Sequence, residues 1–137
     1  MSSSAQPAPS SFTPTLVGRR ILVIEDHRDS REMLTAVLRS LQAHVVGARN
    51  IEDAELQMQF TRPHLIICDM KLPDGTGLDF IQWLRSQRRG GKTPCIAITG
   101  WDNQFPPHVA QGFDAYMRKP INLDKFCTVA VALAQQR

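Results

Sequence analysis

The chain has 137 residues, 42% of them hydrophobic and 21% charged, with a formal net charge of +3. Those values suit one globular domain with a single core and exclude a disordered or fibrous chain. No run approaches the roughly 18 apolar residues of a membrane-spanning helix, and the surplus of positive charge permits an acidic partner without demanding one.

Residues 1–18, MSSSAQPAPSSFTPTLVG, are rich in Ser and Pro and carry neither the basic start nor the apolar centre of a secretory signal. They read as a flexible tail or linker, with the folded domain over residues 19–137. The apolar run at residues 21–24, closed by Glu25-Asp26, predicts a buried strand. Residues 29–41 predict a helix, with Met33, Leu34, Val37, Leu38 and Leu41 at helical spacing and Asp29 or Ser30 as its N-cap. Residues 43–48 form a second short strand. A less regular helix follows at residues 51–60, bearing Ile51, Ala54, Leu56, Met58 and Phe60, and is halted before Pro63.

The third strand, LIICDM at residues 65–70, runs straight into Asp69. An unpaired buried carboxylate is costly, so Asp69 either ends the strand facing solvent or belongs to a charged site. DGTG at residues 74–77 is a loop, and residues 78–89 form an amphipathic helix offering Leu78, Ile81, Trp83 and Leu84 to the core. The basic run at residues 85–92 has a plain explanation: cations favour a helix C-terminus, and Gly90-Gly91 end the helix. No nucleic-acid partner is expected from it. Residues 94–99 are the fourth strand, Tyr116-Met117 lie in a short fifth, and residues 122–136 form a closing helix. Cys68, Cys95 and Cys127 are odd in number and widely spaced, which reads as small buried hydrophobes in a reducing cytoplasm and not as a zinc site.

Strands alternating with helices indicate parallel βαβ units with helices on both faces of the sheet. In such sheets ligands sit at the carboxyl ends of the strands. Glu25-Asp26, Asp69, Thr99 and Lys119-Pro120 all fall on that edge. Three carboxylates together repel each other, and Mg²⁺, a hard cation that takes oxygen ligands and works beside phosphate, relieves the repulsion. Lys119 adds a point charge and Thr99 a small hydroxyl. Together they make a cradle for a phosphoryl group. An aspartate can itself be the nucleophile, giving an acyl phosphate, and Asp69, on the central strand, takes that role.

From Arg20 onward the sequence resembles the receiver domains of two-component response regulators. The resemblance rests on Glu25-Asp26, Asp69 after an apolar strand, LPDGTG with Pro73 and Gly77, Thr99 after the fourth strand, Lys119-Pro120, and Tyr116 three residues before the lysine. It implies a flavodoxin-like (βα)5 fold, a doubly wound five-stranded parallel sheet. It implies Mg²⁺-dependent phosphoryl transfer from a histidine kinase or histidine phosphotransfer protein onto Asp69, the chain catalysing its own phosphorylation and dephosphorylation. By the same resemblance Asp26, Asp69 and the backbone carbonyl of Lys71 would hold the metal, with Glu25 acting through a bound water. Lys119 and Thr99 would contact the phosphoryl oxygens, and Thr99 with Tyr116 would form the switch.

Glu25 stands where the family more often has aspartate, and its extra methylene is tolerable if the contact runs through water. His27 and Trp101 read as rim residues, His27 because Mg²⁺ prefers oxygen donors. Trp101 is expected to shield the phosphoryl group and slow its hydrolysis. The segment between Thr99 and Lys119 is shorter than the family pattern. With Pro106-Pro107 it predicts a short fourth helix ending before Gly112, which leaves dimerisation open. Only one closing helix follows Lys119-Pro120, so the expected output is an unidentified downstream protein or onward phosphotransfer, with no membrane partner and a cytoplasmic location. The alternatives are a receiver module of a hybrid sensor kinase and a degenerate receiver that acts only as an interaction module.

Overall fold

The structure is a computed structural model, which describes residues 15–100 and 112–136. Its strands divide their side chains between two cores, as the period of two in an extended chain requires. In β1 (Arg20–Ile24), Ile21 and Val23 enter one core and Leu22 and Ile24 the other. In β3 (Leu65–Asp69), Leu65 and Ile67 face the first core and Ile66 and Cys68 the second. Helix α1 (Arg28–Ser40) and helix α4 (Leu123–Ala134) cover the first face through Leu34, Leu38, Phe126, Ala130 and Ala134. Helix α2 (Ile51–Thr61) and helix α3 (Gly77–Arg85) cover the second through Ala54, Met58, Phe80, Ile81 and Leu84.

With β2 (His44–Ala48), β4 (Cys95–Thr99) and β5 (Ala115–Arg118), the sheet is parallel throughout and runs β2-β1-β3-β4-β5. This is the doubly wound, flavodoxin-like order, in which β1 and β3 flank the point where strand order reverses. Both strands are apolar on both faces, as buried parallel strands must be. The expected architecture is therefore the one found.

Several boundaries differ from the sequence reading. Helix α1 begins at Arg28 behind His27, earlier than the caps expected at Asp29 or Ser30. The Glu25 carboxylate accepts from the His27 amide at 3.0 Å, and this tightens the turn so that helical bonding starts with Arg31 N–H to His27 C=O. Helix α3 begins one residue early, at Gly77, because Thr76 and Asp79 form a reciprocal capping box. It also ends early, at Arg85 and not at residue 89. Ser86 Oγ and Gln87 Nε2 both donate to the Trp83 carbonyl, at 2.6 and 3.1 Å, and satisfy the helix end there.

The loop at residues 74–77 belongs to a small ribbon in which Lys71–Leu72 pairs antiparallel with Gly75–Thr76. Met33, Leu56 and Phe60 are exposed and take no part in the core, Phe60 at 74%. Cys68 and Cys95 are buried as expected, whereas Cys127 is only half-buried. Leu16, on the tail side of the expected boundary, is fully buried in the first core, and its amide donates to Leu41 C=O at 2.7 Å. No helix among the described residues is long and apolar enough to cross a membrane. The helix expected near Pro106 lies outside the described residues.

Candidate functional site

Register places the polar residues. β1 and β3 pair Ile24 with Cys68, so Glu25 and Asp69 leave adjacent strands side by side. β4 sets Ile98 beside Asp69, and β5 sets Arg118 beside Thr99. The Lys119 amide then donates to the Thr99 carbonyl at 2.8 Å, which turns its side chain over the same edge. Lys119 Nζ lies 3.1 Å from Glu25 Oε1 and 3.2 Å from Asp69 Oδ2. Glu25 is 1% exposed, and Asp69 and Thr99 are each 6% exposed, while Asp26 is open to solvent.

Ligand oxygens of Glu25, Asp26 and Asp69 all lie within 4.8 Å of one another. Every donor in this group is a carboxylate, the chemistry that suits a hard divalent cation better than a soft one. One ammonium against three carboxylates leaves the cluster negative, so a cation is electrostatically welcome.

Burial raises the Glu25 carboxyl above its ordinary value; the His27 amide pulls it down, and the neighbouring Asp69 carboxylate pushes it up again. For Lys119 burial opposes the charged form, but the Asp69 and Glu25 carboxylates outweigh it and the ammonium is held more firmly than usual. The two directions agree with the exposures: the glutamate is enclosed, whereas the lysine keeps part of its side chain in water.

Thr99 Oγ1 makes a long contact of 3.4 Å to the Met117 carbonyl, so its hydroxyl is only weakly engaged. Tyr116 packs against Met70 and Ala97, and its hydroxyl is buried with no hydrogen-bond partner among the described residues. Thr99, Tyr116, Pro120, Asn122 and Lys125 line a cleft of about 460 Å³. Lys71 is exposed, its amide donating to Asp69 Oδ1 at 3.2 Å, and His27 is exposed beside the acidic turn. Glu25, Asp26, Asp69, Thr99 and Lys119 thus come together, with Lys71, His27 and Tyr116 around them. Trp101 lies outside the described residues.

Two supporting residues, Arg31 and Asp74, escaped the sequence reading, and Gly77 enters it only as part of its motif. Arg31 donates to the carbonyls of Glu25 and Asp26, at 2.9 and 3.4 Å, and pins the acidic turn to α1. Asp74 reaches across to α2, accepting from the amides of Ile51 and Glu52 at 2.8 and 3.0 Å. A Cβ at Gly77 would lie 2.6 Å from Met70 Sδ and 3.1 Å from the Asp69 carbonyl, so this glycine lets α3 approach the chain just after Asp69. Asp74 and Gly77 sit within the LPDGTG motif, but Arg31 carries no sequence signal of its partners.

The response regulator receiver domain family matches residues 21–131. The chain is 32% identical over 110 residues to the response regulator protein PilR of Pseudomonas aeruginosa, covering 78% of this chain and 24% of that protein. It is 37% identical over 113 residues to the regulator of RpoS of Escherichia coli, covering 80% of this chain and 33% of that protein. It therefore spans about a quarter to a third of those two relatives' length. A 14.6 kDa protein of Leptolyngbya boryana is 30% identical over 110 residues, which cover 79% of this chain and 84% of that one.

Among solved structures, the receiver domain of the sensor histidine kinase PA1611 from Pseudomonas aeruginosa PAO1 superimposes with a TM-score of 0.79 and 25% identity. That match covers 88% of this chain and 100% of the other, a structure with magnesium coordinated in its active-site cleft. A CheY-like receiver domain from Methylobacillus flagellatus gives 0.76 at 23% identity, covering 84% and 98%. A doubly wound sheet with acidic residues and a lysine at its switch point defines a class of signalling domain, and this chain belongs to the response regulator receiver family.

Proposed function

We propose that Asp69 accepts a phosphoryl group from the phosphohistidine of a histidine kinase or histidine phosphotransfer protein. Asp69 Oδ attacks phosphorus, the P–N bond breaks with its electron pair returning to the imidazole, and an acyl phosphate forms on the aspartate. The observation that carries this reading is the bridging of Lys119 Nζ between Glu25 and Asp69, at 3.1 and 3.2 Å, beside a third carboxylate.

Asp26, Asp69 and the backbone carbonyl of Lys71 would hold Mg²⁺, with Glu25 acting through a water. Bound there, the ion would neutralise charge on the phosphoryl oxygens. Lys119 supplies a second positive charge on the side of Asp69 facing β5, and burial of the carboxylate keeps competing water away. Once the phosphoryl group is present, Lys119 exchanges its carboxylate partner for a phosphoryl oxygen and the Thr99 hydroxyl donates to another. Thr99 leaves its weak contact with Met117, and Tyr116 repacks in the cleft beside it. Contacts that exist only in the phosphorylated form shift the population of the β4–β5 surface. The signal leaves through a downstream protein that reads this surface, in the cytoplasm.

The test is intact-protein mass spectrometry after incubation with acetyl phosphate and with a phosphohistidine donor protein, each with and without Mg²⁺. Wild type gains one phosphoryl mass only with Mg²⁺, and Asp69→Asn gains none. Absence of any gain from wild type with both donors would overturn the proposal in favour of a binding-only module.

A further inference from the structure

A group of cations gathers at the end of the sheet away from the site just described. The sequence explanation for the basic run relied on a helix reaching residue 89, but α3 stops at Arg85. Arg85 is consumed internally by carbonyls of Gly91, Thr93 and Gly112 and by the Asp114 carboxylate. Arg88, Arg89 and Lys92 lie beyond the helix end, exposed. Folding then adds charge from distant parts of the chain: Arg19 precedes β1 and Arg62 closes α2, both at the amino edge of the sheet.

Two adjoining grooves, of about 430 and 650 Å³, run along this edge and share Pro63, Gln87, Arg88, Gly90 and Thr93. Together they hold Arg19, Arg62, Arg88, Arg89 and Lys92, and no acidic residue lines either one. None of those five cations forms a salt bridge with another described residue. His64, in the larger groove, is held below its ordinary pKa first by burial and then by the charges of Arg20 and Arg19. Half-buried Trp83 lines the smaller groove among Arg62, Arg88 and Arg89.

We infer that these grooves bind single-stranded nucleic acid, their cations on the phosphodiester backbone and Trp83 against a base. Four of the five groove cations are arginine, one of which, Arg19, also donates to Gln135 Oε1 at 3.1 Å, and the planar guanidinium fork matches phosphate oxygens in pairs. An indole set among them adds a stacking platform, which an acidic peptide has no use for. The grooves are at the amino ends of the strands and the carboxylate cluster is at the carboxyl ends, so this site is independent of phosphoryl chemistry.

Fluorescence anisotropy with a labelled oligo(dT) strand about a dozen nucleotides long, across a salt series, tests it. Five phosphate contacts predict that log Kobs falls with log salt at a slope of about −3.5, from roughly −0.7 per contact. Reversing Arg88→Glu with Arg89→Glu should flatten that slope by at least about 1.4 and weaken binding at least about tenfold, each lost phosphate contact lowering affinity regardless of sequence. Arg28→Glu with Arg49→Glu, both exposed and following β1 and β2 at the other edge of the sheet, makes the same change in net charge away from the grooves, and thermal melting confirms that both variants fold. Equal loss in both variants, or no binding by folded wild type at 50 mM salt, overturns the proposal. Equal or tighter capture of a poly-glutamate peptide of matching length overturns nucleic acid as the occupant.

Discussion

Asp74 ties the chain that follows Asp69 to the start of α2, and replacing it with alanine isolates the worth of that tie. Its two oxygens take the first two amides of the helix, while Asn50 Oδ1 takes the third from Asp53 at 2.7 Å. Those amides have no partner inside the helix and attract negative charge. Loss of a capping side chain costs about 0.5–2 kcal/mol. Two bonds to a charged acceptor argue for the upper half of that range; solvent screening of an exposed carboxylate argues for discounting it. A loss of about 1.5 kcal/mol follows, or a fall in Tm of about 5 °C for a domain of this size.

The slight burial of Asp74 pushes its carboxyl upward, but the amides of Ile51 and Glu52 prevail and hold it below its ordinary value. A depressed value means the stabilisation is fully present above the ordinary carboxyl pKa of about 3.9 and is lost as pH falls through the lower folded value. The assay is thermal denaturation of wild type, Asp74→Ala and Asp74→Asn from neutral to strongly acidic pH. The asparagine variant, which keeps one acceptor, should fall between the other two at neutral pH. A wild-type and alanine pair that melt within 1 °C of each other at neutral pH, or a gap that persists unchanged in strong acid, would refute the reasoning.

Gly77→Ala forces a methyl against Met70 Sδ and the Asp69 carbonyl; overpacking there should cost about 1–3 kcal/mol in urea denaturation and slow phosphorylation by acetyl phosphate. Tyr116→Phe removes a buried hydroxyl that has no partner among the described residues, so the unphosphorylated protein should melt at the same temperature or up to a few degrees higher, since leaving such a group unsatisfied costs about 1–3 kcal/mol. A fall in Tm would show that the hydroxyl is paired. Trp101→Ala, removing the expected shield, should shorten the lifetime of the phosphorylated protein, measured by mass spectrometry after donor removal.

Much of the fold was legible because parallel strands buried on both faces leave uninterrupted apolar runs, and the carboxylates at residues 25, 26 and 69 break those runs abruptly. Strand ends in this topology converge, so knowing the ends meant knowing the site. Helix boundaries were less legible because they depend on side chains reaching back to backbone: Thr76 with Asp79, Ser86 with Gln87, Glu25 on the His27 amide. Nor could periodicity show that Phe60 and Leu56 point away from the core, since α2 is a helix whose apolar residues do not share one face. The collection of Arg19, Arg62 and Arg88 along one edge required the fold itself, because 69 positions separate the first from the last.

Arg85 has one further consequence. Its guanidinium fastens the carbonyls of Gly91, Thr93 and Gly112 to the end of α3, and Asp114, bonded to it, also receives the Cys95 amide at 2.8 Å. β4 and β5 are therefore riveted where they begin, by bonds independent of those Lys119 makes to Glu25 and Asp69 at their other end. Under the proposed switch, a displacement started at Thr99 would swing from that anchorage like a lever about its fulcrum, smallest at the root. The arginine grooves lie at the root, so their occupancy should be constitutive, the same whether or not the aspartate carries phosphate.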